Sequence, residues 1–324
     1  MNQKICLGIE STAHTFGIGI VTEKGKVLAN SIDAFRTEKG GLIPNDLAKH
    51  HEEAKAKVLN DALQKANLEL KDISLVSFSQ GPGIAPALLV GMKFAKYIAK
   101  KINVPLIGVN HCVAHLEIGK LLTKAKDPVL LYASGANTQI IAYESGKYRI
   151  FGETLDQGIG NFIDSFARHI GLGFPGGPKI EQLALNGKNY VEIPYVVKGM
   201  DVSFSGMLTN LKRKFDSKQF KTEDLCYSLQ ETAFAMLTEV SERAMAHTDK
   251  KQLVLGGGVA CNKRLQEMCN IMCRERNAKF FVPERQFLID NGAMISWMGI
   301  LRREHAAKEH NSIDIKPYQR TDEA

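Results

Sequence analysis

Two histidines four positions apart are the residues of this sequence whose types and spacing most directly suggest chemistry. His111 and His115 lie in a predicted helix, so their imidazoles share one helix face and can bind one metal ion. Imidazole suits zinc and iron equally, and the same spacing also occurs in pairs of surface or core histidines. Zinc-protease chemistry is disfavoured, because Cys112 stands where such enzymes place a general-base glutamate.

Four glycine-rich stretches fall at predicted strand or helix boundaries, where backbone N–H groups can approach a phosphate closely. None of them matches the P-loop or the Rossmann pattern, so the sequence excludes these two nucleotide-binding designs. Hairpin turns that grip phosphates, with a glycine loop under an adenosine, are typical of the actin-like ATPase and sugar-kinase fold. The stretches are residues 81–83, 134–137, 174–178 and 256–258.

Six acidic residues could supply a carboxylate ligand or a general base. Asp290 precedes Asn291 and Gly292 at a predicted helix start, where a carboxylate is most simply an N-cap. If Asp290 lies near the two histidines, it is instead an oxygen ligand for a metal, and separation in sequence does not decide between these interpretations. The acidic set comprises Glu10, Asp156, Asp164, Glu181, Asp201 and Asp290.

The elements that must position these residues form a pattern that occurs twice. A three-strand meander with a small polar first turn opens each half, and helices follow each meander. We therefore predict a duplicated α/β fold of two lobes with mixed sheets, and a ligand in the cleft between them. The predicted lobes are residues 1–125 and 126–304, with a tail, residues 305–324, that packs on the first lobe.

Composition indicates a globular protein that binds no membrane. The 324 residues are 44% hydrophobic and 24% charged, and no apolar run reaches the roughly 18 residues that a membrane span requires. The six cysteines include no C-x-x-C pair and the N-terminus has no apolar signal region, so we predict a reducing, cytoplasmic location. A net charge of +7 permits binding to a polyanion such as nucleic acid.

Six motifs in the same order resemble those of a known family, the universal tRNA threonylcarbamoyladenosine transferases. The resemblance is to the archaeal and eukaryotic form, the catalytic subunit of the KEOPS complex, and it runs from about Ile5 to Asp322. It implies an actin-like fold of two lobes around a nucleotide cleft. The motifs are GIESTAHT (8–15), FSQGPG (78–83), GVNHCVAH (108–115), FPGGPK (174–179), KGMDVSFSG (198–206) and DNGAM (290–294).

The resemblance implies an acyltransferase that modifies tRNA. Such enzymes move the threonylcarbamoyl group of threonylcarbamoyl-AMP to the exocyclic nitrogen of the adenosine 3′ of the anticodon, in tRNAs that read codons beginning with A. The metal ligands implied are His111, His115, Tyr132 and Asp290. The positions implied to hold the adenylate are Tyr132, Ala133, Ser134, Gly135, Ala136, Asp164, Gly177, Glu181 and Asn262.

The resemblance also implies cofactors and partners. One divalent metal per subunit is expected, with Fe²⁺ the usual one and zinc and magnesium as rivals, together with an adenine nucleotide. The implied partners are tRNA, a kinase-like ATPase subunit, a small dimerising subunit and a subunit that captures tRNA. Because the sequence stops at Ala324, the kinase-like subunit is expected to be a separate chain.

The sequence departs from the family pattern at five positions, none of which is an implied metal ligand. Ala136 replaces a glycine in the stretch 134–137, and a negative φ at this position would tolerate the alanine. Three alternatives remain open at this stage: an ATP-dependent small-molecule kinase of the same fold, a metalloendopeptidase and a non-enzymatic nucleotide-binding scaffold. The other departures are Ala85, Leu89, Cys261 and Lys263.

Overall fold

Two compact units form in the chain, and the computed structural model describes residues 4–37 and 41–324. Of the described residues, the first unit comprises 4–35, 42–122 and 289–324, and the second comprises 36–37, 41 and 123–288. Each unit has its own hydrophobic core of buried aliphatic and aromatic side chains.

Twelve strands lie within the described residues, ten of them in two five-stranded sheets. The strands are β1 (Ile5–Glu10), β2 (Thr15–Thr22), β3 (Val27–Ala34), β4 (Leu75–Gly81), β5 (Leu106–Asn110), β6 (Val129–Ala133), β7 (Thr138–Glu144), β8 (Lys147–Glu153), β9 (Val197–Lys198), β10 (Asp201–Val202), β11 (Gln252–Gly256) and β12 (Lys279–Phe281).

The same part of the chain forms ten α-helices, several of which begin at proline or asparagine signals. They are α1 (Pro44–Ala66), α2 (Ala85–Ile102), α3 (His111–Thr123), α4 (Ile159–His169), α5 (Gly177–Ala184), α6 (Ser205–Asp216), α7 (Thr222–Thr248), α8 (Lys263–Glu275), α9 (Arg285–Leu288) and α10 (Gly292–Leu301). Among these residues, no helix combines the length and the apolar character needed to cross a membrane.

The two sheets have the same topology, so the predicted duplication is confirmed. The first sheet has the order β3-β2-β1-β4-β5 and the second has the corresponding order β8-β7-β6-β11-β12. In each sheet the meander is antiparallel and the remaining two strands continue parallel to its first strand. Carboxyl ends of parallel strands meet at one sheet edge, and that edge is where ligands bind in open α/β sheets.

Helix α10 packs directly on the backbone of β1 and β2. A Cβ at Gly8 or Gly19 would overlap backbone atoms of α10, and a Cβ at Gly292 would overlap the backbone of β2. This contact needs glycine on both sides, and it helps to bury all eight residues of β2. The predicted second lobe runs to residue 304, whereas α10 belongs to the first unit and the second unit ends at Leu288.

The C-terminal tail contacts the edge of the first sheet. Ala307 forms an antiparallel bridge with Leu106 of β5, and the backbone N–H of Lys316 donates to the carbonyl of Gln80 at 2.7 Å. Farther along, the Asn110 side chain donates to the carbonyl of Arg320 at 3.1 Å. The tail therefore reaches the residue that immediately precedes α3.

Candidate metal centre and nucleotide-binding loops

Helix α3 begins directly at the end of β5, which places two histidines in its first two turns. The side-chain oxygen of Asn110 accepts a hydrogen bond from the backbone N–H of Val113 at 3.1 Å and so satisfies one donor at the helix start. His111 and His115 lie on the same helix face, with ring centroids 4.9 Å apart and the rings nearly perpendicular. Both side chains are buried.

Asp290 lies beside both imidazoles. Its Oδ1 is 3.3 Å from Nε2 of His111 and 3.3 Å from Nε2 of His115. The N-cap of α10 is the next residue, Asn291, whose side-chain oxygen accepts from the backbone N–H of Met294 at 3.0 Å. Of the two interpretations of Asp290, the cap is therefore wrong, and the carboxylate faces the histidines.

Glu10 completes this group at the end of β1. Its Oε2 lies 2.9 Å from Nδ1 of His111, and its Oε1 accepts from the backbone N–H and the hydroxyl of Thr12, each at 2.6 Å. The hydroxyl of Thr12 is also 3.4 Å from Nδ1 of His111. The Glu10 side chain has no exposure to solvent, so these donors must take the place of water around its charge.

The electrostatics of this group follow from two buried carboxylates beside two imidazoles. Burial alone would lower the pKa of His111, but the charges of Glu10 and Asp290 outweigh it and raise that pKa well above its usual value. Burial would raise the pKa of Asp290, but the charge and hydrogen bond of His111 hold it well below its usual value. Burial lowers the pKa of His115.

The donor set of this group fits a transition metal. One ligand atom from each of His111, His115 and Asp290 lies within 4.8 Å of the other two. Two imidazoles and one carboxylate form the set that iron(II) and zinc accept, whereas magnesium prefers oxygen ligands throughout. These residues could therefore hold iron or zinc, and the spacing seen in sequence becomes a three-residue cluster in space.

The second unit carries the turn that corresponds to residues 11–14 of the first. In the turn 134–137, the backbone N–H and hydroxyl of Ser134 both donate to the carbonyl of Asn137, each at 3.0 Å. The start of α4 packs beneath it, because the N–H of Gly160 donates to the carbonyl of Ser134 and the N–H of Asn161 to that of Gly135. Gly135 and Ala136 are exposed.

Three polar side chains expected at an adenylate site organise the loops around this turn. Asp164 on α4 accepts from the backbone N–H of Gly176 at 2.7 Å and fixes the start of α5, where Gly177 lies. Glu181 on α5 accepts from the N–H of Lys263 at 2.8 Å. Asn262 caps α8 by accepting from the N–H groups of Arg264 and Leu265.

Tyr132 and Ala133 belong to β6, immediately before the same turn. Tyr132 pairs with Gln139 of β7 and with Gly256 of β11, and both Tyr132 and Ala133 are buried. A Cβ at Gly257 would overlap the carbonyl of Ala133, so a glycine is required where β11 ends against β6. The implied role of Tyr132 as a metal ligand stays a prediction.

Two other acidic residues singled out from the sequence have structural roles. Asp156 accepts from the backbone N–H groups of Phe204 and Ser205 at the start of α6, and these bonds, against burial, hold its pKa below the usual value. Asp201 accepts from the N–H of Glu153 at 2.9 Å. Their hydrogen bonds join segments of the second unit.

The sequence alone assigns no role to Thr12 and leaves Glu10 open between a base and a ligand contact. The signal that could have placed them is topological. Glu10 ends β1 and His111 follows β5, and both strands run parallel to β4, so their carboxyl ends meet at one edge. Strand order, which a single sequence does not state, is the missing information.

Solved structures with the same architecture define the class of fold. Over 94% of this chain, HypF of Thermococcus kodakarensis superimposes with a TM-score of 0.65 at 16% identity, and the match covers 48% of HypF. Component A of (R)-2-hydroxyglutaryl-CoA dehydratase from Acidaminococcus fermentans matches 93% of this chain and 99% of its own, with a TM-score of 0.60 at 12% identity. The chain has the actin-like fold.

Sequence comparisons identify the family. The family model for tRNA N6-adenosine threonylcarbamoyltransferase matches residues 26–297, so the chain belongs to this family. A tRNA N6-adenosine threonylcarbamoyltransferase of Thermococcus kodakarensis is 58% identical over 91% of this chain and 90% of its own, and that of Thermococcus sibiricus is 56% identical over 98% of both. The probable bifunctional tRNA threonylcarbamoyladenosine biosynthesis protein of Methanococcus vannielii is 51% identical over 99% of this chain, which spans 58% of that protein.

Proposed function

We propose that this protein transfers the threonylcarbamoyl group of threonylcarbamoyl-AMP to the exocyclic nitrogen of the adenosine 3′ of the anticodon in tRNAs that read codons beginning with A. The observation that carries the proposal is the cluster of His111, His115 and Asp290, in a chain whose family is named for this transfer. The chemistry needs no protein nucleophile, because an adenine amine attacks an already activated carbonyl.

The proposed metal ligands are His111, His115 and Asp290, with Tyr132 as a fourth. When bound, the metal supplies a Lewis acid that polarises the carbamoyl carbonyl or stabilises charge on the leaving phosphate. Iron(II) is the metal that the family resemblance favours, and zinc is its rival, because imidazole ligands suit both metals. The protein residues fix the ligand directions, because both imidazoles are buried and each faces the carboxylate of Asp290.

The proposed adenylate-binding site is formed by loops of the second unit. Gly135 and Ala136 present exposed backbone to a phosphate, and Asp164, Glu181 and Asn262 hold the surrounding loops in place. Asp164 and Glu181 are carboxylates with two acceptor oxygens each, so a ribose hydroxyl can donate to either side chain. The complete set comprises Tyr132, Ala133, Ser134, Gly135, Ala136, Asp164, Gly177, Glu181 and Asn262.

The partners of the proposal are tRNA and separate protein subunits, in the cytoplasm. The surplus of seven basic residues supports binding to a polyanion, so tRNA affinity is expected to fall steeply with salt. The bifunctional relative, of which this chain spans 58%, supports a functional link to a second protein part. We propose that this part is a separate kinase-like subunit here, with a small dimerising subunit and a tRNA-capturing subunit of a KEOPS complex.

Two alternative functions fit the residues of the cluster less well. A small-molecule kinase of the same fold gives no role to the two histidines and Asp290. A metalloendopeptidase would need a base at position 112, where burial raises the pKa of the Cys112 thiol to about 11 and so keeps it protonated.

The test is transfer of a labelled threonylcarbamoyl group from its adenylate to tRNA, with the partner subunits supplied. We expect incorporation with the wild-type protein and its loss in the H111A/H115A double variant. The E117Q variant is the matched control, since Glu117 is a buried carboxylate on the same helix that pairs with Lys120. Full transfer by the double variant would contradict the proposed metal centre, and no transfer by any protein would contradict the proposed reaction.

A further inference from the structure

The two carboxylate oxygens of Glu10 contact different residues. Oε1 accepts two hydrogen bonds from Thr12, one from the backbone and one from the hydroxyl, each at 2.6 Å. Oε2 is 2.9 Å from Nδ1 of His111. Three contacts therefore surround a carboxylate that has no solvent exposure, and both of its oxygens are engaged by protein groups.

The contact with Glu10 determines which nitrogen of His111 faces the cluster. A carboxylate oxygen accepts a hydrogen bond, so Nδ1 carries the proton in the contact with Oε2. The other nitrogen, Nε2, points to Asp290 at 3.3 Å. A metal at the cluster would bind Nε2, because that atom lies on the side shared with Asp290 and His115.

The position of Glu10 is itself held by the surrounding fold. Thr12, which binds Oε1, offers its carbonyl to the backbone N–H of Ile84 at 2.8 Å. A Cβ at Gly83 would come within 3.0 Å of the Thr12 backbone, so this loop packs tightly on the turn. The carboxylate thus sits in a frame built by β1, the turn after it and the loop before α2.

We propose that Glu10 is a positioning residue of the metal centre, which sets the tautomer and ring direction of His111, and is not the general base of the reaction. The inference rests on the proposed metal centre. A histidine ligand whose second ring nitrogen donates to a carboxylate is oriented and made more basic, and loss of such a partner costs about 10- to 100-fold in metal affinity.

The first experiment measures zinc affinity by competition with a chromophoric chelator, with no substrate and no turnover. We expect the E10Q variant to bind zinc about 10- to 100-fold more weakly than the wild type. The E117Q variant is expected to stay within about twofold of the wild type, since it changes a buried glutamate on α3 that pairs with Lys120.

The second readout reports the tautomer directly. Long-range ¹H–¹⁵N spectra of the zinc-loaded protein are expected to show the proton of His111 on Nδ1 in the wild type and in E117Q, and an altered His111 signal in E10Q. If E10Q fails to fold, T12V serves instead. It keeps Glu10 but removes one donor to Oε1, and we expect a loss of zinc affinity smaller than that of E10Q.

The outcomes separate this inference from the function on which it depends. If the wild type binds no zinc, or if H111A binds it as tightly, the proposed metal centre is wrong. If H111A loses zinc while E10Q and T12V bind like the wild type, the centre stands and the role of Glu10 is overturned. Equal losses in E10Q and E117Q would likewise overturn it, because they would report general destabilisation.

Discussion

The first turn of each meander occupies the same place in two sheets of identical topology, but the two turns differ in access to solvent. In the first unit, the turn 11–14 begins with the buried Ser11 and Thr12 and closes around the carboxylate of Glu10. In the second unit, the turn 134–137 exposes Gly135 and Ala136 and presents mainly backbone. The two sheets share a topology, but their corresponding turns differ in burial and in side chains.

The difference suits the two kinds of site that we propose for this duplicated framework. A buried carboxylate has to be fully partnered, so the first turn is fixed by hydrogen bonds and by close packing. Exposed amides exchange water for a ligand at little cost, so the turn 134–137 suits the nucleotide site that we propose there. The proposed metal centre thus lies at the buried turn, and the proposed adenylate site lies at the exposed one.

The largest expected effect comes from a side chain placed in the close contact between the backbones of β2 and α10. In G19V, the new side chain overlaps backbone atoms of Gly292 and Ala293, so α10 and with it Asp290 must move. We expect a loss of more than about 3 kcal/mol in the free energy of unfolding, or no folding, measured by denaturant titration. The control is G206A on α6, where nothing beyond the adjacent residues and the helix's own backbone lies within 4 Å of a new Cβ. Native stability in G19V would disprove the tight packing of the first unit.

The next effect in size depends on pH and involves His51 of α1, which packs near the first turn against Phe16. Burial, with the nearby charges of His50 and His14, lowers the pKa of His51 to about 4, whereas the unfolded chain titrates near 6.5. Below pH 6.5 the unfolded state binds the proton first, so stability is full above pH 6.5 and falls towards pH 4. The contribution is roughly 3 kcal/mol.

The measurement is the free energy of unfolding of the wild type and of H51L between pH 7 and pH 4. We expect the wild type to lose more stability than H51L over this interval, because leucine has no proton to bind. Parallel curves for the two proteins would mean that His51 is accessible and that the first turn is more open than the structure indicates.

Much of the framework could be predicted from the sequence, because its signals are local. Apolar strands with small polar turns predicted both meanders, and the four-residue spacing of His111 and His115 predicted a shared helix face. Helix α1 begins at Pro44, and proline is a residue type that suits the first turn of a helix, so this start is also a local signal.

The cluster itself could not be predicted from the residues alone. Asp290 lies far from His111 along the chain, and its contact depends on α10 packing against β1 and β2 through glycines of both. Asn291, and not Asp290, caps α10, a choice between neighbours that side-chain direction decides. Only the resemblance to a family predicted that Asp290 joins His111 and His115, because hydrophobic pattern and residue spacing carry no such information.

A smaller effect is expected elsewhere in the second unit, where Asp164 accepts a backbone hydrogen bond that holds the loop before α5. The D164N variant weakens the bond from the N–H of Gly176 and loosens the start of α5. We expect adenine-nucleotide affinity to fall about tenfold, or about 1.4 kcal/mol, measured by calorimetry with a non-hydrolysable ATP analogue. The control is D216N, at an exposed carboxylate of the same unit. Unchanged affinity in D164N would exclude this loop from the nucleotide site.

The smallest effect is expected from A136G, which introduces the glycine that the family resemblance implies at this position. Ala136 does not adopt a positive φ and is exposed, so its methyl group does not strain the turn. The neighbouring position is equally open, because a Cβ added at Gly135 would have only the side-chain oxygen of Asn161 nearby, at 3.8 Å.

We therefore expect A136G to change nucleotide affinity by less than about twofold and to lower the free energy of unfolding by about 0.5 to 1 kcal/mol, since glycine adds freedom to the unfolded chain. Calorimetry and denaturant titration measure the two quantities on the same preparation. A gain in affinity above tenfold would mean that the methyl group presses on the ligand, and the second turn would then be as closely fitted as the first.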